Sequence, residues 1–235
     1  MNVGWLTSAS DEQAVVLFRH AVEAFDSDPL IHLASVCICS RQQSPYAGQL
    51  SSVAQERDVP FHWVDAAPFL DSREFEKGVL DGDEHWRAAL EHELVHALAV
   101  HDFDFLMLAG YMLIAGPILR SAYRMLNLHP ALPGGPKGTR GDVIRQILVE
   151  RPSHIGAMVH VVTAELDAGP PVADSRVSLD EVLAGVGTSE LDDSPTAFNV
   201  VERAILSIEP DLVTRAIRAV AAAHGSSLWS ANGSN

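Results

Sequence analysis

Short apolar runs alternating with helical patterns constrain this chain more than any other feature. Residues 2–7, 31–39, 103–110 and 157–163 are nearly continuous apolar stretches, and 60–64 is a shorter one. Runs of this length, rich in Val, Ile, Leu and Phe, are what a strand buried on both faces requires. Between them lie helical patterns. Ser10-Asp11-Glu12-Gln13 reads as a capping box opening a helix to about Phe25. Residues 46–57, 85–100 and 142–150 continue the series. Strand–helix alternation predicts an α/β fold with a doubly wound, mostly parallel sheet. Ligands of such sheets bind beyond the carboxyl ends of the strands, where the strand order reverses.

Composition limits the setting. The chain has 235 residues, 47% hydrophobic, enough for one sizeable core. Its formal charge of −15 repels phosphate backbones and anionic membranes, so neither nucleic acid nor membrane is an expected partner. No apolar run reaches the roughly 20 residues of a membrane span, and no basic leader precedes the first run. Cys37 and Cys39 alternate within the second run and read as buried thiols of a cytoplasmic protein. The expected organisation is a catalytic domain over 1–190, a helical extension over 191–224 and a flexible tail over 225–235. Residues 175–195 read as loose and acidic, and 196–223 as helices broken near Pro210. Their amphipathic face suits either packing on the domain or a homodimer.

Two segments carry the chemistry. Asn127 and His129 stand two residues apart after an apolar run, hence on one face of an extended segment. Asp167 follows the next apolar run, just before a glycine turn. A side-chain amide, an imidazole and a carboxylate meeting at strand ends are what acyl transfer to an amine needs. His160 and Thr163 are placed to support Asp167. A turn-stabilising Asp and ordinary polar loop residues are the plainer reading of each taken singly.

A rival motif sits on the helix over 85–100. His92-Glu93-Leu94-Val95-His96 matches a zinc signature whose histidines lie one turn apart, with Asp102 further on. Ala99 stands where such sites need a glycine, and the chain runs straight into the next strand without the turn that would return a third ligand. No metal is expected.

Three blocks resemble the folate-dependent formyltransferases, closest to the glycinamide ribonucleotide type: Leu108-Ala109-Gly110-Tyr111-Met112, Asn127-Leu128-His129-Pro130-Ala131-Leu132, and residues 160–170 ending in Leu166-Asp167-Ala168-Gly169-Pro170. The resemblance is dense over 103–172. It implies a Rossmann-like formyltransferase fold, 10-formyltetrahydrofolate as formyl donor, and Asn127, His129 and Asp167 as catalytic residues. It further implies that Tyr111, Met112, Leu113, Ile114, Val162 and Leu166 wall the donor. A 10-formyltetrahydrofolate deformylase, which usually carries an additional N-terminal domain, and a non-catalytic folate-fold binding module are the competing readings.

The acceptor is less defined. Transformylases that act on a ribonucleotide carry a Ser-Gly-x-Gly-Ser-Asn type of loop after the first strand, whereas this chain has Thr7-Ser8-Ala9-Ser10-Asp11-Glu12-Gln13. Acidic residues in a first helical turn oppose a bound phosphate. Ser8 and Ser10, with Lys137 and Arg140 in the Pro- and Gly-rich stretch 130–141, are the candidate contacts to the acceptor. That acceptor is expected to be a small-molecule amine, either phosphoribosylglycinamide or a non-phosphorylated one.

Overall fold

The computed structural model describes residues 1–41, 44–69, 84–186 and 194–223. The domain boundary expected at 190/191 and the tail over 225–235 lie outside these. Seven strands form one sheet in the order β3-β2-β1-β4-β5-β6-β7. They are β1 (Asn2–Thr7), β2 (His32–Ser40), β3 (Phe61–Asp65), β4 (Phe105–Leu108), β5 (Met125–His129), β6 (His154–Val161) and β7 (Pro171–Ser178). The helices are α1 (Glu12–Phe25), α2 (Pro45–Glu56), α3 (Glu84–Leu98), α4 (Pro117–Ala122), α5 (Arg140–Glu150), α6 (Leu179–Leu183) and α7 (Pro195–Ala222). Strands β1 to β5 pair in parallel, while β5–β6 and β6–β7 are antiparallel. The expected doubly wound, mostly parallel fold is therefore present, and no described helix is long and apolar enough to cross a membrane.

The continuous apolar runs reflect burial on both faces. Along β1 and β4, Val3, Trp5, Phe105 and Met107 pack into one cluster, while Leu6, Leu106 and Leu108 pack into another on the opposite face. In the first cluster Trp5 and Phe18 meet edge-on with centroids 5.6 Å apart, an arrangement worth about 1 kcal/mol beyond area burial.

The structure differs from the sequence reading in three places. Asp11, not Ser10, is the N-cap of α1, its carboxylate accepting from Ala14 N. The stretch read as loose from 175 opens inside an ordered strand, β7, whose residues are mostly half-buried and so lack an apolar run. Finally, α7 continues through Pro210 rather than breaking there. Proline has no N–H to offer the carbonyl four residues earlier. Here that carbonyl, Leu206 O, accepts instead from Gln13 Nε2 on α1 at 2.9 Å. Val201, Ile205, Leu212, Val213, Ile217 and Val220 place the apolar face of α7 in the same core as β1 and α1.

Candidate active site

The parallel strands set the stage at their carboxyl ends. Leu108, the last residue of β4, pairs with Asn127, and β5 runs two residues further to His129. Strand order reverses between β1 and β4, one strand away. Across the other edge of β5, antiparallel β6 sets His160 directly opposite Asn127. Because β6 runs the opposite way, Val162 N bonds Met125 O at the beginning of β5. The following loop must turn back for Asp167 to reach His129. It does so with Asp167 in the left-handed region, at φ 51°, which Asp tolerates better than most side chains. A side chain on Gly169 would collide with the Val161 carbonyl, so this return admits only glycine there.

The four polar side chains form one connected group. Asp167 Oδ2 lies 3.5 Å from His129 Nδ1, and Oδ1 lies 3.7 Å from His160 Nε2. Asp167 Oδ2 also accepts from Gly138 N at 3.2 Å. His129 Nε2 faces the Pro136 carbonyl at 2.8 Å and, since a carbonyl only accepts, carries the proton. By the same logic His160 donates from Nδ1 to Val161 O at 2.9 Å, leaving Nε2 to accept from Asn127 Nδ2 at 3.2 Å. Thr163 Oγ donates to Glu165 O and so braces the turn that carries Asp167.

Electrostatics divide the roles. Burial drives the His129 pKa below its ordinary value, and the Pro136 carbonyl and the Asp167 carboxylate only partly oppose this. Burial thus favours the neutral imidazole of His129 near pH 7. A proton taken up by His129 arrives at Nδ1, beside Asp167. For Asp167, burial raises the pKa. His160, His129 and the Gly138 N–H outweigh it, so the carboxyl titrates below its usual range and is ionised.

The other sequence candidates are distributed around this group. Ser8 Oγ accepts from Met112 N at 3.0 Å, which ties the segment after β4 to the end of β1. Met112 and Leu166 are 48% and 37% exposed, offering apolar surface on the segments that follow β4 and β6. Tyr111 and Val162 pack partly against the second core cluster, and Leu113 is buried in it; Ile114 is half-buried. Ser10 is exposed. Lys137 pairs with Glu165 at 2.9 Å and Arg140 with Asp11 at 2.8 Å. His92, Glu93 and His96 lie on the exposed side of α3, away from the Leu90, Leu94 and Leu98 stripe. Among the described residues they join no group of three metal-ligating side chains.

Two residues and one pairing escaped the sequence reading. Glu91 is 1% exposed and accepts from the backbone N–H groups of Gly116, Ile118 and Leu119, capping α4 and anchoring the Tyr111–Ala115 segment. Glu209 is equally buried on α7 and accepts from Gln13. Asp11 binds Arg140. A carboxylate set within or beside a leucine-rich helix stripe was the available signal for the first two.

Comparison with known proteins decides the family. Residues 31–192 match the family described as formyl transferase. The chain belongs to the formyl transferase family. Relatives within and around that family include the phosphoribosylglycinamide formyltransferase of Escherichia coli, 38% identical over 112 residues, which are 44% of this chain and 52% of that one. The Bacillus subtilis phosphoribosylglycinamide formyltransferase is 32% identical over 97 residues, 40% and 49% of the two chains. The matched segment thus spans about half the length of these curated relatives. Among solved formyl transferase structures, glycinamide ribonucleotide transformylase 1 from Symbiobacterium toebii superposes with a TM-score of 0.69 at 24% identity, over 95% of this chain and 88% of that one. Phosphoribosylglycinamide formyltransferase from Bacillus halodurans gives 0.69 at 21%, over 97% and 100%. These structures share the fold.

Proposed function

We propose that this protein transfers a formyl group from 10-formyltetrahydrofolate to the amine of a small molecule. The observation that carries the reading is the Asn127–His160–Asp167–His129 group, buried at the strand ends of a formyl transferase domain. Attack by an amine on a formamide carbonyl builds negative charge on oxygen and positive charge on nitrogen. Asn127 Nδ2, which spends one of its two hydrogens on His160, is the donor for that oxygen, and His129 joins it as the imidazolium formed when the ring takes up the amine's proton; one such donor is typically worth about 3–4 kcal/mol. Asp167, ionised and bracketed by two imidazoles, draws the amine's proton toward His129 Nδ1 and orients the ring that carries it. His160 fixes Asn127, and Thr163 fixes the loop.

Met112 and Leu166, exposed on the segments after β4 and β6, are the apolar side chains offered to the flat ring of a folate. Bound there, the donor would supply the activated formyl carbon and the leaving nitrogen, which departs with the proton that His129 has taken from the amine. Tyr111, Leu113, Ile114 and Val162 support those walls from behind. Soluble, cytoplasmic chemistry on a small acceptor fits the acidic surface and requires no metal.

A spectrophotometric assay of tetrahydrofolate release tests the reading. Release from 10-formyltetrahydrofolate should depend on an added amine and fall at least a hundredfold in His129→Ala, the size expected for a lost transition-state donor. Amine-independent release would favour the deformylase. Failure to bind 10-formyltetrahydrofolate would remove the formyl-transfer reading.

A further inference from the structure

The N-terminus of a helix is where a protein ordinarily binds phosphate, because free N–H groups and the helix dipole both favour an anion. In this fold α1 begins directly after β1, beside the catalytic strand ends, and its N-terminus is already filled. Asp11 caps it through Oδ1, bonded to Ala14 N at 3.1 Å, and turns Oδ2 to Arg140 Nη1 at 2.8 Å. Glu12 occupies the first turn and is exposed. Arg140 is thereby paired with Asp11, and its side chain is only 25% exposed.

The next residues hold this closure in place. Gln13 Nε2 reaches across to α7, bonding Leu206 O at 2.9 Å and Glu209 Oε2 at 2.8 Å. Pro210 is what leaves Leu206 O available, so the missing hydrogen bond within α7 and the lock on α1 are one device. Asp11, Glu202 and Glu209 are electrostatically coupled, with Arg140 their opposing cation. An approaching phosphate would meet a cluster of net negative charge and a helix end whose cap is taken.

We propose that the acceptor of this enzyme is an amine carrying no phosphate group, and that the Asp11–Arg140 pair at the start of α1 enforces this choice. The inference rests on the formyl-transfer reading and names the acceptor class of that site. Asp11→Asn is the informative variant, since Asn caps a helix as well as Asp does while releasing Arg140 from its counter-charge.

The experiment has two arms. In the first, formylation of glycinamide ribonucleotide is compared with that of its dephosphorylated ribonucleoside. The wild type should favour the ribonucleoside in kcat/KM, and Asp11→Asn should shift the ratio toward the ribonucleotide by about tenfold, equivalent to about 1.4 kcal/mol. A wild-type preference for the ribonucleotide would overturn the proposal. In the second arm, calorimetry with inorganic phosphate needs no turnover. No saturable binding to the wild type, with binding gained in Asp11→Asn, supports the closed site. Saturable binding to the wild type that Arg140→Ala abolishes overturns it, whether or not either acceptor is formylated.

Discussion

Asp167 Oδ2 lies 3.5 Å from His129 Nδ1, with side-chain exposures of only 7% and 3%. A carboxylate and an imidazole withdrawn together from water interact more strongly than at a surface, and removing the charge from one alters the chemistry of the other.

Asp167→Asn keeps the size of the side chain and the capacity to accept from Gly138 N, but loses the charge. The variant should retain its thermal melting profile while kcat falls about a hundredfold or more, the range of a lost proton-transfer group. Turnover within a factor of a few of the wild type would remove Asp167 from the reaction.

The pH profile of kcat/KM carries a second signature. His129 must be neutral to receive the amine's proton, and burial lowers its pKa from the ordinary 6.5. Activity should persist as pH falls through 6.5 and decline only below it. An acid limb centred above 6.5 would mean that Asp167 and the Pro136 carbonyl prevail over burial.

Glu209 makes a stability prediction with the opposite sign. Its carboxyl, buried beneath Gln13, is pushed up from 4.5 to about 7 despite the favourable influence of Arg140 and Gln13. A raised acid pKa means that the native state holds the proton more tightly than the unfolded chain. This contribution is full below pH 4.5 and is lost as pH rises toward 7. Glu209→Gln should match the wild type in denaturant unfolding at acid pH and exceed it at pH 8 by on the order of 2 kcal/mol. Equal stabilities at both values would show that Glu209 is ionised at no cost. Asp167 and His129, with lowered pKa values, instead lose stability on acidification in both proteins and cancel in the difference.

Glu91 tests how the donor wall is held. Glu91→Ala leaves the N–H groups of Ile118 and Leu119 and that of Gly116 without their acceptor. The expected loss is about 3 kcal/mol of stability, with a rise of the donor KM and little change in that of the amine. Glu91→Gln, which keeps one acceptor oxygen, should recover part of both. Equal effects on the two KM values would mean that Glu91 acts only on global stability.

How much of this was legible follows from what each residue answers to. Continuous apolar runs exposed β1, β2 and β4, because a sheet covered on both faces leaves no polar alternation to obscure them. Strand β7 escaped because its residues are half-buried and polar, and its pairing with β6 is a long-range fact. Pro210 suggested a break; the compensating amide of Gln13 sits near the other end of the chain. Asn127, His129 and Asp167 could be singled out because their spacing and flanking turns are local, and the fold brings the three together. The lowered pKa of His129 and the pairing of Asp11 with Arg140 depend on burial and tertiary neighbours, which no local pattern encodes.

The central claim is transfer of a formyl carbon to nitrogen at the Asn127–His129–Asp167 site, and isotope labelling tests it most directly. Incubation with 10-formyltetrahydrofolate labelled in the formyl carbon and an amine acceptor, followed by mass spectrometry, should place the label in an N-formyl amine. That product should be absent with His129→Ala. Label recovered only as formate, or in an N-formyl amine formed equally by His129→Ala, would contradict the account.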